Sequence, residues 1–409
     1  MQLSSFIYFN PGNEEAIGIG RRNYTPVFSV RRMEAELACL PLWYGDSSDV
    51  VWAESPVDED FAELMRCLFP GLPRLVSPRR FFPEERFVAA PWGLAPNVLA
   101  RFERWVKQYR LPVEVPVWTE VYRRLVSRET ACRALASLHA CLPSEALPSL
   151  PFFASSLEEI SHWLHGKQGR FLLKAPFSSS GRGLLPLSVA EWEEDAKKRQ
   201  WAEAVIRRQG TVSIEPLYDK LKDFAMEFYS DGAGQVTYRG LSLFQTVRTG
   251  AYSGNLLGSE DFRLQQLGAD VDRSALERVR EAVCRVLAKI YGMAYRGPLG
   301  VDMFLYRTDA VSPLRIHPCV EINMRQTMGG LALHLSEHYL APEARGVFFL
   351  SFHKQPGEVL ARHHEMLRRY PLQLREHRIT GGYLNLCPIS EETGYWAHIL
   401  VEHVPASCI

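Results

Sequence analysis

Around residue 321 the chain alternates without a break. Cys319, Glu321, Asn323 and Arg325 occupy one set of positions, and Val320, Ile322 and Met324 occupy the other. Strand side chains change face at every residue, so this stretch is a strand with one apolar face and one polar face. A second alternating run, Gly300-Val301-Asp302-Met303-Phe304-Leu305-Tyr306, precedes it and puts Asp302 on the face of Phe304 and Tyr306. Asp302, Glu321 and Asn323 together offer two carboxylates and an amide oxygen. That set suits Mg²⁺, a hard cation that takes few protein ligands and shares phosphate oxygens with a substrate. Arg325, on the face of Glu321, can neutralise a phosphoryl group in transfer. The polar face of an ordinary antiparallel hairpin would show the same alternation.

A second group lies upstream. Phe171-Leu172-Leu173-Lys174 reads as a strand that delivers a lysine to its end, and Ser178-Ser179-Ser180-Gly181-Arg182-Gly183 follows as a small-residue loop. Glycines let backbone N–H groups approach phosphate oxygens, and serines add hydroxyl donors. Lys174 supplies a point charge, and Arg182 a fork. The lysine precedes the loop, so this is not the G-x-x-x-x-G-K-[ST] pattern; a surface hairpin uses the same residues. A third group, Glu215-Pro216-Leu217 followed by Asp223, can present backbone groups to an adenine edge and a carboxylate to ribose hydroxyls. Between Gly240 and Gly258, a glycine-rich loop carries Arg248, which can hold a substrate carboxylate; a surface loop would look alike.

The rest of the chain sets the frame. Ser5–Phe9 and Asp49–Trp52 read as strands, and Glu34–Leu40 and Asp58–Leu68 as helices, an α/β layer with parallel strands. Asn10-Pro11-Gly12 ends the first strand, either as a ligand loop or as a plain turn. Ser127 suits the N-cap of a helix from Arg128, and Asp272 that of the helix Ser274–Tyr291. Val189–Arg199 reads as one charged helix, and a polar hinge separates Glu215 from a strand that begins at Asp223. Boundaries before Ser127 and at Arg345 give three units: 1–126, 127–344 and 345–409. At 409 residues, with 47 basic and 47 acidic side chains, the chain lacks the basic excess of a nucleic-acid binder. Eight cysteines without a C-x-x-C pair read as reduced thiols of a cytoplasmic protein. No signal peptide, membrane span or membrane partner is expected from the pattern.

Taken in this order, the three groups resemble the ATP-grasp superfamily over about Ser127 to Gly330. Glu321-Ile322-Asn323-Met324-Arg325 is similar to the E-x-N-x-R strand of its biotin carboxylase-like members. The resemblance implies an α/β N-terminal domain, then an α+β ATP-grasp domain with antiparallel sheets, and a small C-terminal α+β extension. It implies ATP and two Mg²⁺ ions, which Mn²⁺ can replace, with Asp302, Glu321 and Asn323 as metal ligands. Arg128 stands where many members carry a phosphate-binding lysine. Lys174, the loop Ser178–Gly183, Glu215–Leu217 and Asp223 complete the nucleotide site, with Arg325 and Arg248 at the reacting centre. The implied reaction is that of a carboxylate–amine ligase: ATP converts a carboxylate to an acyl phosphate, and an amine displaces phosphate. The carboxylate and amine would be small molecules or peptides. The alternatives are a kinase-like phosphotransfer enzyme of the same fold and a catalytically silent nucleotide-binding scaffold. The intact Asp302, Glu321, Asn323 and Arg325 argue against the silent one.

Overall fold

β1 (Ser4–Tyr8) is the centre of a parallel sheet because its Phe6, Ile7 and Tyr8 are buried on both faces. In this computed structural model, which describes residues 3–54, 58–78, 85–143, 147–178, 183–246, 252–269, 271–308 and 313–402, the chain then alternates helix and strand. α1 (Asn13–Ile19), α2 (Phe28–Glu36), β2 (Val50–Trp52), α3 (Glu59–Leu68), β3 (Arg74–Val76), β4 (Phe87–Pro91), α4 (Pro96–Tyr109) and β5 (Val113–Glu114) follow. The strand order is β3-β2-β1-β4-β5. Strand order therefore reverses at β1, where open α/β sheets form a crevice beyond the strand ends. Asn10 sits at that end, and its amide is spent on the backbone. Nδ2 donates to the Gly93 carbonyl at 2.7 Å, and Oδ1 accepts from the Gly93 N–H at 3.2 Å.

One helix differs from the sequence expectation. The helix expected over Glu34–Leu40 spans Phe28–Glu36 instead, and a 3-10 turn takes Leu40–Trp43. Pro41 lies in that turn without an N–H to continue a helix. Leu37, Cys39, Leu40, Leu42 and Trp43 are all buried, so the segment faces inward on every side rather than on one stripe.

Two helices lead out of this layer. α5 (Glu120–Val126) is followed directly by α6 (Arg128–His139), whose N-cap Ser127 accepts from the Glu129 N–H at 3.2 Å. A second sheet is built from β6 (Phe152–Ala154), β7 (Arg170–Lys174), β8 (Leu184–Ser188) and β9 (Val212–Pro216), in the order β6-β9-β7-β8, all antiparallel. α7 (Leu157–Leu164), α8 (Val189–Glu194) and α9 (Ala196–Gln209) accompany it. The single helix expected over Val189–Arg199 is split, because Asp195 leaves helical geometry and its carboxylate caps Lys197 N–H at 2.8 Å.

A third, antiparallel sheet runs β11-β10-β14-β15. Its strands are β10 (Asp219–Asp231), β11 (Val236–Ser242), β14 (Arg296–Arg307) and β15 (Arg315–Asn323). β10 begins at Asp219, so the expected polar hinge shrinks to Leu217 and Tyr218. α11 (Arg273–Tyr291) packs on this sheet through Leu276, Val279, Val283, Val286 and Leu287. Each such side chain contributes about 1.5–3 kcal/mol on burial. The last sheet, β12-β13-β16-β19-β18-β17, joins β12 (Phe244–Thr246) and β13 (Tyr252–Leu257) to β16 (Gly346–Phe352), β17 (Gln373–Arg375), β18 (Arg378–Asn385) and β19 (Tyr395–Val401). α10 (Glu260–Leu267), α12 (Met328–His334), a π-helical turn at Leu335–Tyr339 and α13 (Glu358–Arg369) complete the described elements. One core holds Phe9 and Trp43 together with Phe348, Ile379 and Ile399, so the first and last parts of the chain share an interior. Among the described residues, no helix is long and apolar enough to cross a membrane.

Candidate active site

β14 and β15 pair so that Asp302 lies opposite Glu321, and Gly300 opposite Asn323. A register shift then falls between Asp302 and Phe304. The three expected metal ligands are thus brought together at one end of the hairpin. Asn323 Nδ2 donates to Asp302 Oδ1 at 3.2 Å, and Arg325 Nη2 donates to Asn323 Oδ1 at 3.0 Å. Burial and the neighbouring Glu321 push the Asp302 carboxyl up to about 7. A buried carboxylate held this way gains from any cation placed between it and Glu321. Two carboxylates with an amide oxygen also match the few protein ligands that Mg²⁺ takes beside substrate phosphates. Among the described residues there is no cluster of three or more His, Cys, Asp or Glu side chains arranged to hold a metal. Asp302, Glu321 and Asn323 are the residues that would hold a hard ion sharing its shell with a ligand.

Arg128 ties this hairpin to the second sheet. From the first turn of α6 its Nε donates to the Ala175 carbonyl at 3.0 Å and its Nη2 to Ser178 Oγ at 3.3 Å. The same Nη2 lies 3.0 Å from Glu321 Oε2. Lys174, at the end of β7, is buried and ion-paired to Glu215 of β9. Burial lowers the ammonium's proton affinity, and Glu215 opposes the effect. The two ends of the loop meet where the Ala175 N–H donates to the Gly183 carbonyl at 2.9 Å. Ser179, Ser180, Gly181, Arg182 and Arg248 lie outside the described residues. Pro216 closes β9, and the Leu217 N–H donates to the Arg170 carbonyl at 2.9 Å, which fixes that segment to β7. Asp223 sits within β10, and its Oδ1 accepts from Lys220 Nζ at 3.0 Å.

Lys174, Glu215 and Arg128 line a small cleft between the two sheets with His317, Cys132 and Cys319. His317 was not anticipated. It is 2% exposed, its Nδ1 has no partner, and burial pulls its pKa down to about 3. Its ring lies against Phe304 at 4.6 Å and near Tyr218 at 5.7 Å.

Two further residues escaped the sequence. Glu227, on β10, lies opposite Gly300 and is buried. Thr327 Oγ1 donates to its Oε2 at 2.9 Å, and burial pushes its pKa up to about 8. Glu14, in the first turn of α1, is ion-paired with Arg325 Nε across 311 residues of chain. Burial works against the Arg325 charge, but Glu14, Asp302 and Glu321 hold its proton more tightly than usual. The signal available for Glu227 was one acidic residue in an apolar strand, Phe224-Ala225-Met226-Glu227-Phe228. Nothing local marked Glu14.

Neither the models of protein families nor the curated proteins give a match to this chain. Solved structures do. The biotin carboxylase domain of 2-oxoglutarate carboxylase from Hydrogenobacter thermophilus, a dimer in complex with MgADP, ADP and bicarbonate, aligns at 12% identity with a TM-score of 0.53. The alignment covers 99% of this chain and 87% of that one. Biotin carboxylase from Campylobacter jejuni, in complex with β,γ-ATP, aligns at 10% identity and TM-score 0.51, covering 98% and 88%. At such identity the likeness is one of fold.

Proposed function

We propose, from the ATP-grasp fold that this chain shares with biotin carboxylases, that it is an ATP-dependent ligase joining a carboxylate to an amine-type nucleophile. The observation that carries this reading is Arg128. One guanidinium touches Ala175, Ser178 and Glu321, and so places the lysine strand, the loop base and the carboxylate hairpin around a single cleft.

In this reading residues 127–344 form the ATP-grasp unit, 1–126 the preceding domain and 345–409 an extension. The cavity beside Lys174, Glu215 and His317 is about 10 Å³, so ATP would enter by widening it, with Pro216, Leu217 and Asp223 toward the base and ribose. Lys174, Arg128 and the loop Ser178–Gly183 face its phosphates. Asp302, Glu321 and Asn323 hold Mg²⁺, which neutralises phosphate charge when bound. A substrate carboxylate oxygen attacks the γ-phosphorus, and ADP leaves with the bridging oxygen. The nucleophile's nitrogen then attacks the acyl carbon, phosphate departs, and the nitrogen loses its proton. Arg325, with Arg248, offsets charge on the oxygens of the phosphoryl group in transfer. The reading supports small-molecule or peptide substrates, and a soluble cytoplasmic setting.

The test is ADP release over a panel of carboxylates with and without amines, with product masses. A carboxylate- and amine-dependent ADP burst with an amide product is expected. ADP release that needs only a hydroxyl acceptor, with a phosphorylated product, would favour the phosphotransfer alternative. No nucleotide binding would leave the scaffold alternative without its ligand and reject the ligase.

A further inference from the structure

A second cleft, of about 590 Å³, opens on the outer side of α6, behind the one assigned to nucleotide. Its size is in the range of small-molecule sites. Arg123 and Arg124 from α5 and Arg133 from α6 line it, with Glu120 and Glu129. Among the described residues, none of the three arginines is ion-paired to a carboxylate. Arg133 donates to Thr130 Oγ1 at 2.7 Å, and Glu129 accepts from Thr211 Oγ1 at 3.1 Å. Arg123 is the telling residue. Its guanidinium lies 5.1 Å over the ring of Phe177, and its Nε is buried with no acceptor. A buried donor without a partner costs about 1–3 kcal/mol, so the native fold rarely leaves one unless something else fills the role. Both glutamates already lie on the wall, yet neither reaches it. The cleft therefore presents three guanidinium groups with no carboxylate partner among the described residues.

We propose that this cleft binds a small anionic molecule, one that carries a phosphate or carboxylate group next to a flat or apolar body. Guanidinium forks match both anions by paired N–H donors, and three forks without a carboxylate partner around one space favour a charge of more than one. Phe153 and Pro176, which also line the cleft, give the body an apolar surface to lie against. The floor is shared with the nucleotide cleft through Cys132. Gln209 fixes Phe177 in place from both sides: its Oε1 accepts from the Phe177 N–H at 2.9 Å, and its Nε2 donates to the Phe177 carbonyl at 3.1 Å. The wall on which the ligand rests is therefore preformed, and it runs into Ser178, which Arg128 holds. The site goes beyond the ligase reading and does not depend on it.

The experiment is calorimetric titration of the full chain with phenyl phosphate, benzoate and inorganic phosphate. Phenyl phosphate is expected to bind at least about threefold more tightly than inorganic phosphate, and the order of phenyl phosphate and benzoate names the preferred anion. The double variant Arg124→Gln/Arg133→Gln, at exposed positions, should weaken phenyl phosphate by about tenfold or more. Arg123→Lys should weaken it by about threefold or more, because the charge stays while Nε and the fork are lost. The double variant Lys174→Met/Glu215→Gln should leave it within about twofold, which separates this site from the nucleotide cleft. A change of less than about threefold in the arginine double variant overturns the proposal. So does loss of binding in the Lys174 variant, or no binding of either aromatic anion at 10 mM.

Discussion

Arg128 Nη2 stands 3.0 Å from Glu321 Oε2, so the first turn of α6 grips the carboxylate that the proposed reaction most needs. The two residues are far apart in sequence, and neither is fully exposed. Glu321→Gln keeps the shape of the side chain but removes the charge facing Arg128 and Asp302. Turnover should fall on the order of a hundredfold, with ATP affinity changed less. Asn323→Ala should cost less, since water can replace a neutral oxygen ligand. ADP production and ATP binding, measured in parallel on variants checked by circular dichroism, read both. Near-normal turnover by folded Glu321→Gln would reject the metal-site assignment.

Lys174 should be tested with its partner. Lys174→Ala alone would strand the buried Glu215 carboxylate. Breaking a buried pair from one side typically costs about 3–5 kcal/mol of stability, whereas replacing both members is much better tolerated. Lys174→Met/Glu215→Gln should therefore fold, and should bind ATP about tenfold or more weakly, as expected for loss of a charge-assisted phosphate contact. Unchanged ATP affinity in this double variant would remove Lys174 from the nucleotide site.

His317 faces the same cleft as a neutral ring. Its folded-state pKa of about 3 leaves it uncharged throughout an assay from pH 5 to 8. One ring nitrogen lacks a partner, so a bound base can complete it. His317→Phe keeps the contact with Phe304 and removes the polar atom. ATP affinity should fall by about five- to a hundredfold, the equivalent of one hydrogen bond to a buried group. Wild-type affinity should show no His titration across that pH range. An affinity unaffected by the substitution would place the base elsewhere.

The sequence made the hairpin and its neighbours legible because they rest on local rules. Alternation gave β15, the cap residues gave the starts of α6 and α11, and the order lysine–loop–carboxylates gave the cleft its contents. What escaped depends on long-range pairing. Glu227 is one acidic residue in an apolar run, and only the pairing of β10 with β14 puts it against Gly300. Glu14 meets Arg325 because the end of β4, which pairs with β1, packs against the segment after β15, where the Gln326 N–H donates to the Trp92 carbonyl at 2.9 Å. The helix expected over Glu34–Leu40 begins earlier, at Phe28, for a related reason. Phe28 is 71% exposed, so hydrophobicity pointed past it to the fully buried turn beyond.

Acid stability should depend on His398. It is buried on β19, stacked 3.9 Å from Trp396 and 5.1 Å from Phe349, and its Nδ1 has no partner. Burial, aided by nearby His353 and His363, pulls its pKa down to about 3. The folded value lies below the unfolded one, so the unfolded chain takes up the proton first. The ring's contribution is complete above about pH 6.5 and is lost as pH falls toward 3. By pH 5 the loss is about 2 kcal/mol. His398→Phe keeps the stack and removes the titration, so its urea midpoint should fall less between pH 7 and pH 5 than that of the wild type. Equal falls in both proteins would show that the buried ring does not control acid unfolding.

Gly329 gives the sharpest test of the packing behind the site. It lies inside α12, where alanine normally improves on glycine by about 0.5–1 kcal/mol. Here a Cβ would stand 2.1 Å from Glu227 Oε1 and 2.5 Å from Ser242 Oγ. Glu227 already lies against Gly300, where a Cβ would be 2.9 Å from its Oε2, so it has little room to move toward β14. Its other oxygen is held by Thr327. Gly329→Ala should therefore destabilise the protein by about 1–3 kcal/mol, the usual range for overpacking. The neighbouring Gly330→Ala is the control, since its nearest contact is Thr327 Oγ1 at 3.3 Å, and it should stay within about 0.5 kcal/mol of the wild type. Adding Glu227→Ala to Gly329→Ala should restore part of the loss, because the colliding carboxylate is gone and the two sites are in contact. Urea unfolding of the four variants, including Glu227→Ala alone, gives the coupling. A stabilised Gly329→Ala would mean that Glu227 does not occupy the space beneath α12, and that the buried carboxyl is not held next to Asp302.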